Sequence, residues 1–207
     1  MKTDTLKTEF VPAAEADSKR LMIVMHGLGD SMDGYRWIQE GMQVPWLNYL
    51  LVNAPDPYYG GFAWYDLYAN AGIGIERSRK MLFAVIDDLG KKGHKPSDIV
   101  ISGFSQGCLM SMELALHYPE RFAAIVGISG YVHEPETTDL SPVAKDQRIL
   151  MTHGTQDPLI PIEAVRKQVA VLQKRGVQIE WREFVKAHTI AGETELKVIR
   201  QFLSDKF

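Results

Sequence analysis

The chain runs on two hydrophobic rhythms. Near-continuous apolar runs, the pattern of a strand buried on both faces, fall at residues 20–25, 49–52, 98–101, 123–128, 148–152 and 178–184, after a short opening strand around residues 9–12. Between them, apolar residues recur at helical spacing over 34–42, 75–92, 106–117, 161–175 and 192–207. In the second of these helices Ile75, Leu82, Phe83 and Ile86 share one stripe and are read as core. Pro161 stands at a first-turn position, where a missing N–H costs nothing. Strands and helices in alternation predict an α/β fold: a mostly parallel central sheet with helices on both faces. Two longer stretches, 53–64 and 130–147, carry neither rhythm and are read as irregular.

One junction in this series carries chemistry. Gly103-Phe104-Ser105-Gln106-Gly107 follows the strand 98–101 and leads straight into the helix 106–117. A strand that turns into a helix through one corner puts the corner residue in a strained conformation, and glycines two residues to either side avoid clashes with the neighbouring strand and helix. The serine is then presented at the carboxyl end of the strand, near the positive end of the helix, placed to attack a carbonyl carbon.

A serine hydroxyl is a weak nucleophile at neutral pH and requires a histidine to take its proton and an acid to hold that histidine. In the α/β-hydrolase order the acid follows the serine and the histidine comes last. Asp157, in His153-Gly154-Thr155-Gln156-Asp157-Pro158, follows the strand 148–152; His188 follows the strand 178–184. Asp139 and Asp146 precede that first strand and read as solvated loop acids, while Asp87 and Asp88 fall within a helix. His94 and His117 sit at helix ends, His133 lies in a loop, and His153 reads as a hydrogen-bonded structural residue. The oxyanion needs donors: the backbone N–H of Gln106, and that of Leu28 in His26-Gly27-Leu28-Gly29-Asp30, where flanking glycines let the loop curl toward the serine.

The chain here resembles the acyl-protein thioesterase, carboxylesterase and lysophospholipase group of small α/β-hydrolases. The resemblance runs through nearly the whole chain: His26-Gly27-Leu28-Gly29-Asp30, Asn53-Ala54-Pro55, Trp64-Tyr65-Asp66, Gly103-Phe104-Ser105-Gln106-Gly107, His153-Gly154 with Asp157-Pro158, and His188. It implies Ser105, Asp157 and His188 as a catalytic triad and Leu28 with Gln106 as oxyanion donors. Two departures stand out. The segment 56–62 is shorter than in many members and rich in aromatics, and Lys186-Ala187 replaces the Met-Gly that many members carry before the histidine. Tyr58, Tyr59, Phe62 and Trp64, with Leu159 and Ile160, are candidate walls of a substrate groove; for the aromatic four, packing over the sheet edge fits equally well.

Composition narrows the picture. A chain of 207 residues, 45% of them hydrophobic, is read as one domain, 1–207. The formal charge of −3, with Lys and Arg scattered among acids, supplies no footprint for nucleic acid, and Lys91-Lys92 read as cations at a helix C-terminus. The single cysteine, Cys108, forms no disulfide within the chain and is read as a small core residue. Met1-Lys2-Thr3-Asp4 carries no long apolar core, and no stretch approaches the ~18 apolar residues of a membrane span, so a cytoplasmic protein without stable membrane insertion is expected. The stretch 130–147 is too short for the helical cap of many lipases. The expected function is a serine carboxylesterase acting on short- to medium-chain esters, or thioesters, through an acyl-enzyme, with no metal or organic cofactor and with a small-molecule substrate as partner. A lysophospholipase or an acyl-protein thioesterase shares every catalytic residue, a non-catalytic binding protein on the same fold is more distant, and homodimerisation is left open.

Overall fold

The computed structural model describes residues 6–204. Met1-Lys2-Thr3-Asp4 and the last three residues of the 192–207 helix lie outside that range. Seven strands form one sheet: β1 (Thr8–Val11), β2 (Leu21–Met25), β3 (Asn48–Val52), β6 (Ile99–Phe104), β7 (Ala124–Ile128), β8 (Ile149–Gly154) and β9 (Ile179–Phe184). Their order across the sheet is β1-β3-β2-β6-β7-β8-β9, with β1 antiparallel to β3 and every other pair parallel. Every residue of β2, β3, β7 and β8 is buried, whereas the edge strand β1 alternates. Burial on both faces is what wrote the apolar runs into the sequence.

The helices α2 (Ala71–Lys91), α3 (Gln106–His117) and α4 (Ile162–Lys174) cover one face of the sheet, where Leu82, Leu109 and Val169 join one hydrophobic cluster. α1 (Ile38–Met42) and α5 (Glu193–Ser204) cover the other through Met42, Leu196 and Ile199. This is the α/β-hydrolase arrangement. Every residue of α3 except His117 is buried, so the helix behind Ser105 is clamped on all sides. Cys108 lies fully buried against Gly127 and Gly130, and burial pushes its thiol up to about 12.

Several elements differ from the sequence expectation. The 34–42 helix divides into a 3₁₀ turn at Met32–Tyr35 and the short α1, because Gly34 lies under the Asp30 carboxylate and Gly41 under the Trp37 ring, close approaches that favour packing over helix propensity. α2 begins at Ala71, four residues early; Gly72 and Gly74 hid its first turn, and a Cβ on Gly74 would come within 2.8 Å of the Tyr65 Cβ. The stretch 53–64 contains a hairpin, β4 (Asp56–Tyr58) and β5 (Gly61–Ala63), turned by Tyr59 and Gly60 at φ 41° and 92°. The stretch 130–147 has one 3₁₀ turn, Ala144–Asp146, and inserts no cap domain. Among the described residues no helix is long and apolar enough to cross a membrane, and no group of three or more His, Cys, Asp or Glu side chains is arranged to hold a metal ion.

Candidate active site

β6 runs through Phe104, so Ser105 is the whole corner between strand and helix, at φ 55° and ψ −114°. A non-glycine residue there stores about 1–3 kcal/mol of strain, tolerated because the surrounding packing dictates it. Both glycines of the corner are sterically required. A Cβ on Gly103 would lie 2.1 Å from the Gly107 carbonyl oxygen, and one on Gly107 would lie 2.2 Å from that of Met25 in β2.

His188, in the loop after β9, places Nε2 2.9 Å from the Ser105 Oγ and Nδ1 2.7 Å from Asp157 Oδ2. Asp157, in the loop after β8, receives the Leu159 and Ile160 N–H groups on Oδ1, each at 2.9 Å. Burial alone would raise its carboxyl. The donated N–H groups and His188 outweigh burial and hold it below the usual carboxylate range. His153 donates Nε2–H to the Ile160 carbonyl at 2.9 Å and stacks on Trp181, and burial keeps its pKa low; it braces the acid loop. The other candidates stay apart: Asp139 and Asp146 are exposed, His117 is bonded to the Glu113 carbonyl and Thr138, and His94 to the Lys19 carbonyl.

Leu28, Ser105, Gln106 and His188 line one cavity of about 630 Å³. Gln106 is the first residue of α3, so its N–H has no partner within the helix. Of the candidate walls, Leu159 lines this cavity and Tyr58, Tyr59, Phe62 and Trp64 do not. The aromatic hairpin folds onto the back of the Leu28 loop instead. The Gly29 N–H donates to the Phe62 carbonyl, the Phe62 N–H donates to the Asp30 carbonyl, both at 2.9 Å, and a Cβ on Gly61 would strike the Gly29 carbonyl. Tyr58 packs against Gly29, and Tyr59 is 96% exposed at the hairpin tip. Trp64 is fully buried and donates its indole N–H to the His26 carbonyl at 2.9 Å.

The walls that the structure supplies are Tyr65, Leu67, Tyr131, Leu159 and Ile160. Tyr65 and Tyr131 join hydroxyl to hydroxyl at 2.7 Å. Of the adjacent pair, Tyr65 lines the cavity while Trp64 turns its indole to the His26 carbonyl, a difference that the Trp64-Tyr65-Asp66 motif does not resolve. Two further supports were not singled out from sequence. The Gln106 side chain accepts the Trp64 N–H at 2.9 Å and donates to the Tyr65 carbonyl at 3.0 Å, tying the cavity wall to the elbow. His26 Nε2 accepts the Ala54 N–H, so Nδ1 carries the proton that goes to the Gly27 carbonyl, and burial lowers its pKa; a neutral imidazole holds the Leu28 loop.

Lys186, two residues before His188, is buried and pairs with the fully buried Glu195 of α5 at 2.6 and 2.8 Å. Glu195 also accepts the Ala191 N–H at 2.6 Å, which closes the loop that carries His188. Burial draws the Lys186 ammonium below the usual lysine range, against the pull of Glu195. The departure at Lys186 is thus a charge pair beneath the histidine loop.

Known proteins share the sequence pattern and the fold. The sequence pattern of the phospholipase/carboxylesterase family matches residues 6–206. Acyl-protein thioesterase 1 of Schizosaccharomyces pombe is 37% identical over 159 residues, which cover 68% of this chain and 69% of that protein. Esterase PE8, of known crystal structure, is 25% identical with a TM-score of 0.81, over 98% of this chain and 100% of that one. The Bacillus cereus carboxylesterase shares the fold at a TM-score of 0.84 and 17% identity, over 98% of this chain and 95% of that one. The chain belongs to the phospholipase/carboxylesterase family of α/β-hydrolases.

Proposed function

We propose that the protein is a serine esterase in which Ser105, His188 and Asp157 form the catalytic triad. The observation that carries this is the unbroken chain Asp157 Oδ2, His188 Nδ1 and Nε2, Ser105 Oγ, which opens into a cavity walled by apolar side chains. His188 Nε2 takes the hydroxyl proton as Oγ attacks the carbonyl carbon. The backbone N–H groups of Leu28 and Gln106 receive the developing oxyanion, and Asp157 holds the imidazole with its proton on Nδ1. His188 then returns the proton to the leaving alcohol or thiol. Water then attacks the acyl-Ser105 carbonyl as His188 Nε2 takes its proton, and His188 returns that proton to the departing Ser105 Oγ as the carboxylic acid leaves.

The acyl chain lies against Tyr65, Tyr131, Leu159 and Ile160, with no cap above it and Leu159 itself 70% exposed. A buried methylene gains about 0.8 kcal/mol and one left in water gains nothing, so kcat/KM is expected to rise to an acyl length of roughly four to eight carbons and then level or fall. Labelling with a fluorophosphonate, with the adduct located by mass spectrometry, tests the nucleophile: Ser105 alone should react. p-Nitrophenyl esters from acetate to palmitate, each below its micelle concentration, test the groove. A steady rise to palmitate would instead favour the second reading, a long-chain acyl-protein thioesterase, which the 37% identical yeast relative supports.

A further inference from the structure

Two open cavities meet at His188. The second, of about 420 Å³, is lined by Asp30, Tyr35, Trp37, Thr189 and Ile190 among others, and Asp30, Phe104 and His188 line both. Ser105, Leu28 and Gln106 line only the first. On the esterase reading, the acyl carbonyl therefore sits in the first cavity, where nucleophile and oxyanion donors converge. The leaving atom must lie within reach of His188 Nε2, which returns its proton. The remainder of the alcohol or thiol then has the second cavity to enter, on the far flank of His188 and Phe104.

The chemistry of this second cavity is distinctive. Apart from His188, Asp30 is the one ionisable acid or base among its lining residues besides the Tyr35 phenol, which burial and the neighbouring Asp30 charge keep protonated. Asp30 accepts the Ser31 N–H at 2.7 Å and, among the described residues, forms no ion pair. Arg36, six residues further along the chain, pairs with Glu9 and Asp33 at 2.7 and 2.9 Å, and Arg200 pairs with Glu193. The Tyr35 and Trp37 rings, with centroids 6.4 Å apart, line the same cavity as the carboxylate, and Trp37 is 38% exposed. A carboxylate without an ion pair and aromatic rings lining one open cavity attract a cation by charge and by the ring quadrupoles together.

We propose that this cavity is the leaving-group subsite and that it selects esters or thioesters whose alcohol or thiol carries a cationic nitrogen. The inference rests on the esterase reading above, and the test separates the two. Butyrylcholine and 3,3-dimethylbutyl butyrate share an acyl group and nearly a shape, and differ in the positive charge. kcat/KM should favour butyrylcholine by roughly fivefold at low salt, and the preference should shrink as salt screens the exposed Asp30. Asp30→Asn should bring the ratio close to one. Because Asp30 adjoins the Leu28 loop, damage to the oxyanion donors lowers both rates and cancels in the ratio. Should that variant not fold, Trp37→Leu, outside the loop, should at least halve the preference. A ratio near one in the unaltered protein, or one that survives these substitutions, overturns the subsite and leaves the esterase intact. No turnover of either ester or of p-nitrophenyl butyrate, with Ser105 unlabelled, overturns both.

Discussion

The two flanks of Ser105 are held in place by opposite means. On the acid flank, buried charges do the holding: Asp157 under two N–H donors, and the Lys186–Glu195 pair beneath the His188 loop. On the oxyanion flank the groups are neutral, and the Leu28 loop is secured by backbone bonds to Phe62, by the His26 imidazole and by the Trp64 indole. A buried charge is costly to orphan, so the acid flank should fail sharply when one partner is deleted. Neutral bonds are individually modest, so the oxyanion flank should degrade in steps.

The largest effect belongs to the point where the flanks meet. Ser105→Ala should lower kcat by about 10⁴-fold or more while the thermal midpoint holds, since the serine carries no core packing. Asp157→Asn should cost about 10³ to 10⁴-fold in kcat by favouring the wrong tautomer of His188. Its stability effect has a sign that can be checked against pH. A carboxyl depressed in the folded state contributes stability fully above its unfolded value, about 3.9, and loses it as pH falls through the folded value. The stability gap between the natural protein and Asp157→Asn should therefore narrow as the pH falls below about 4 in urea titrations. If Asp139→Asn or Asp146→Asn matched the loss of activity, the assignment of the acid would be wrong.

Next in size is the buried pair. Glu195→Gln leaves the Lys186 ammonium without its anion and should cost about 3–5 kcal/mol, read from urea midpoints. The double change Lys186→Met with Glu195→Leu should recover most of that stability. If the pair also positions His188, the double variant keeps a lowered kcat at restored stability; full kcat would show that it serves folding alone. On the neutral flank, Trp64→Phe removes a single bond to the His26 carbonyl and should cost about 1–3 kcal/mol. A loss as large as that of Glu195→Gln would erase the contrast between the flanks.

The smallest effects separate the cavity walls from the hairpin. Leu159→Ala should shift the preferred acyl length by a carbon or two, at a few-fold in kcat/KM for the best ester, since the side chain is only partly covered. Tyr59→Ser, at the hairpin tip, should change stability by no more than about 0.5 kcal/mol and leave the acyl profile as it was. A profile altered by Tyr59→Ser would return the hairpin to the substrate groove.

Much of the site was legible because its chemistry demands particular residues at particular junctions. A serine corner needs glycines at 103 and 107 for steric reasons that leave almost no substitute, and the acid and histidine must follow strands of the same sheet, so Asp157 and His188 stand out among the other acids and histidines. The groove was less legible because a wall requires only an apolar surface at the right place. Trp64 and Tyr65 are equally aromatic, and which of them faces the cavity depends on how the segment after β5 is tied to the Gln106 side chain at the start of α3. The hairpin is not legible in the sequence because its strands are three residues each, too short for a period to register. Lys186 stands out in the sequence only as a departure before the histidine; its pairing is not legible there, since the partner in α5 is nine residues away, across a turn set by Gly192.

By itself the sequence determined the layered sheet, the elbow and the order of the reacting groups, because burial periodicity and steric necessity act locally along the chain. Only the tertiary structure decided which aromatics form the wall, what braces the histidine loop, and that a second cavity opens beside His188. Those depend on contacts between segments far apart in the chain, where shape and charge are set jointly by both partners and neither carries a mark of its own.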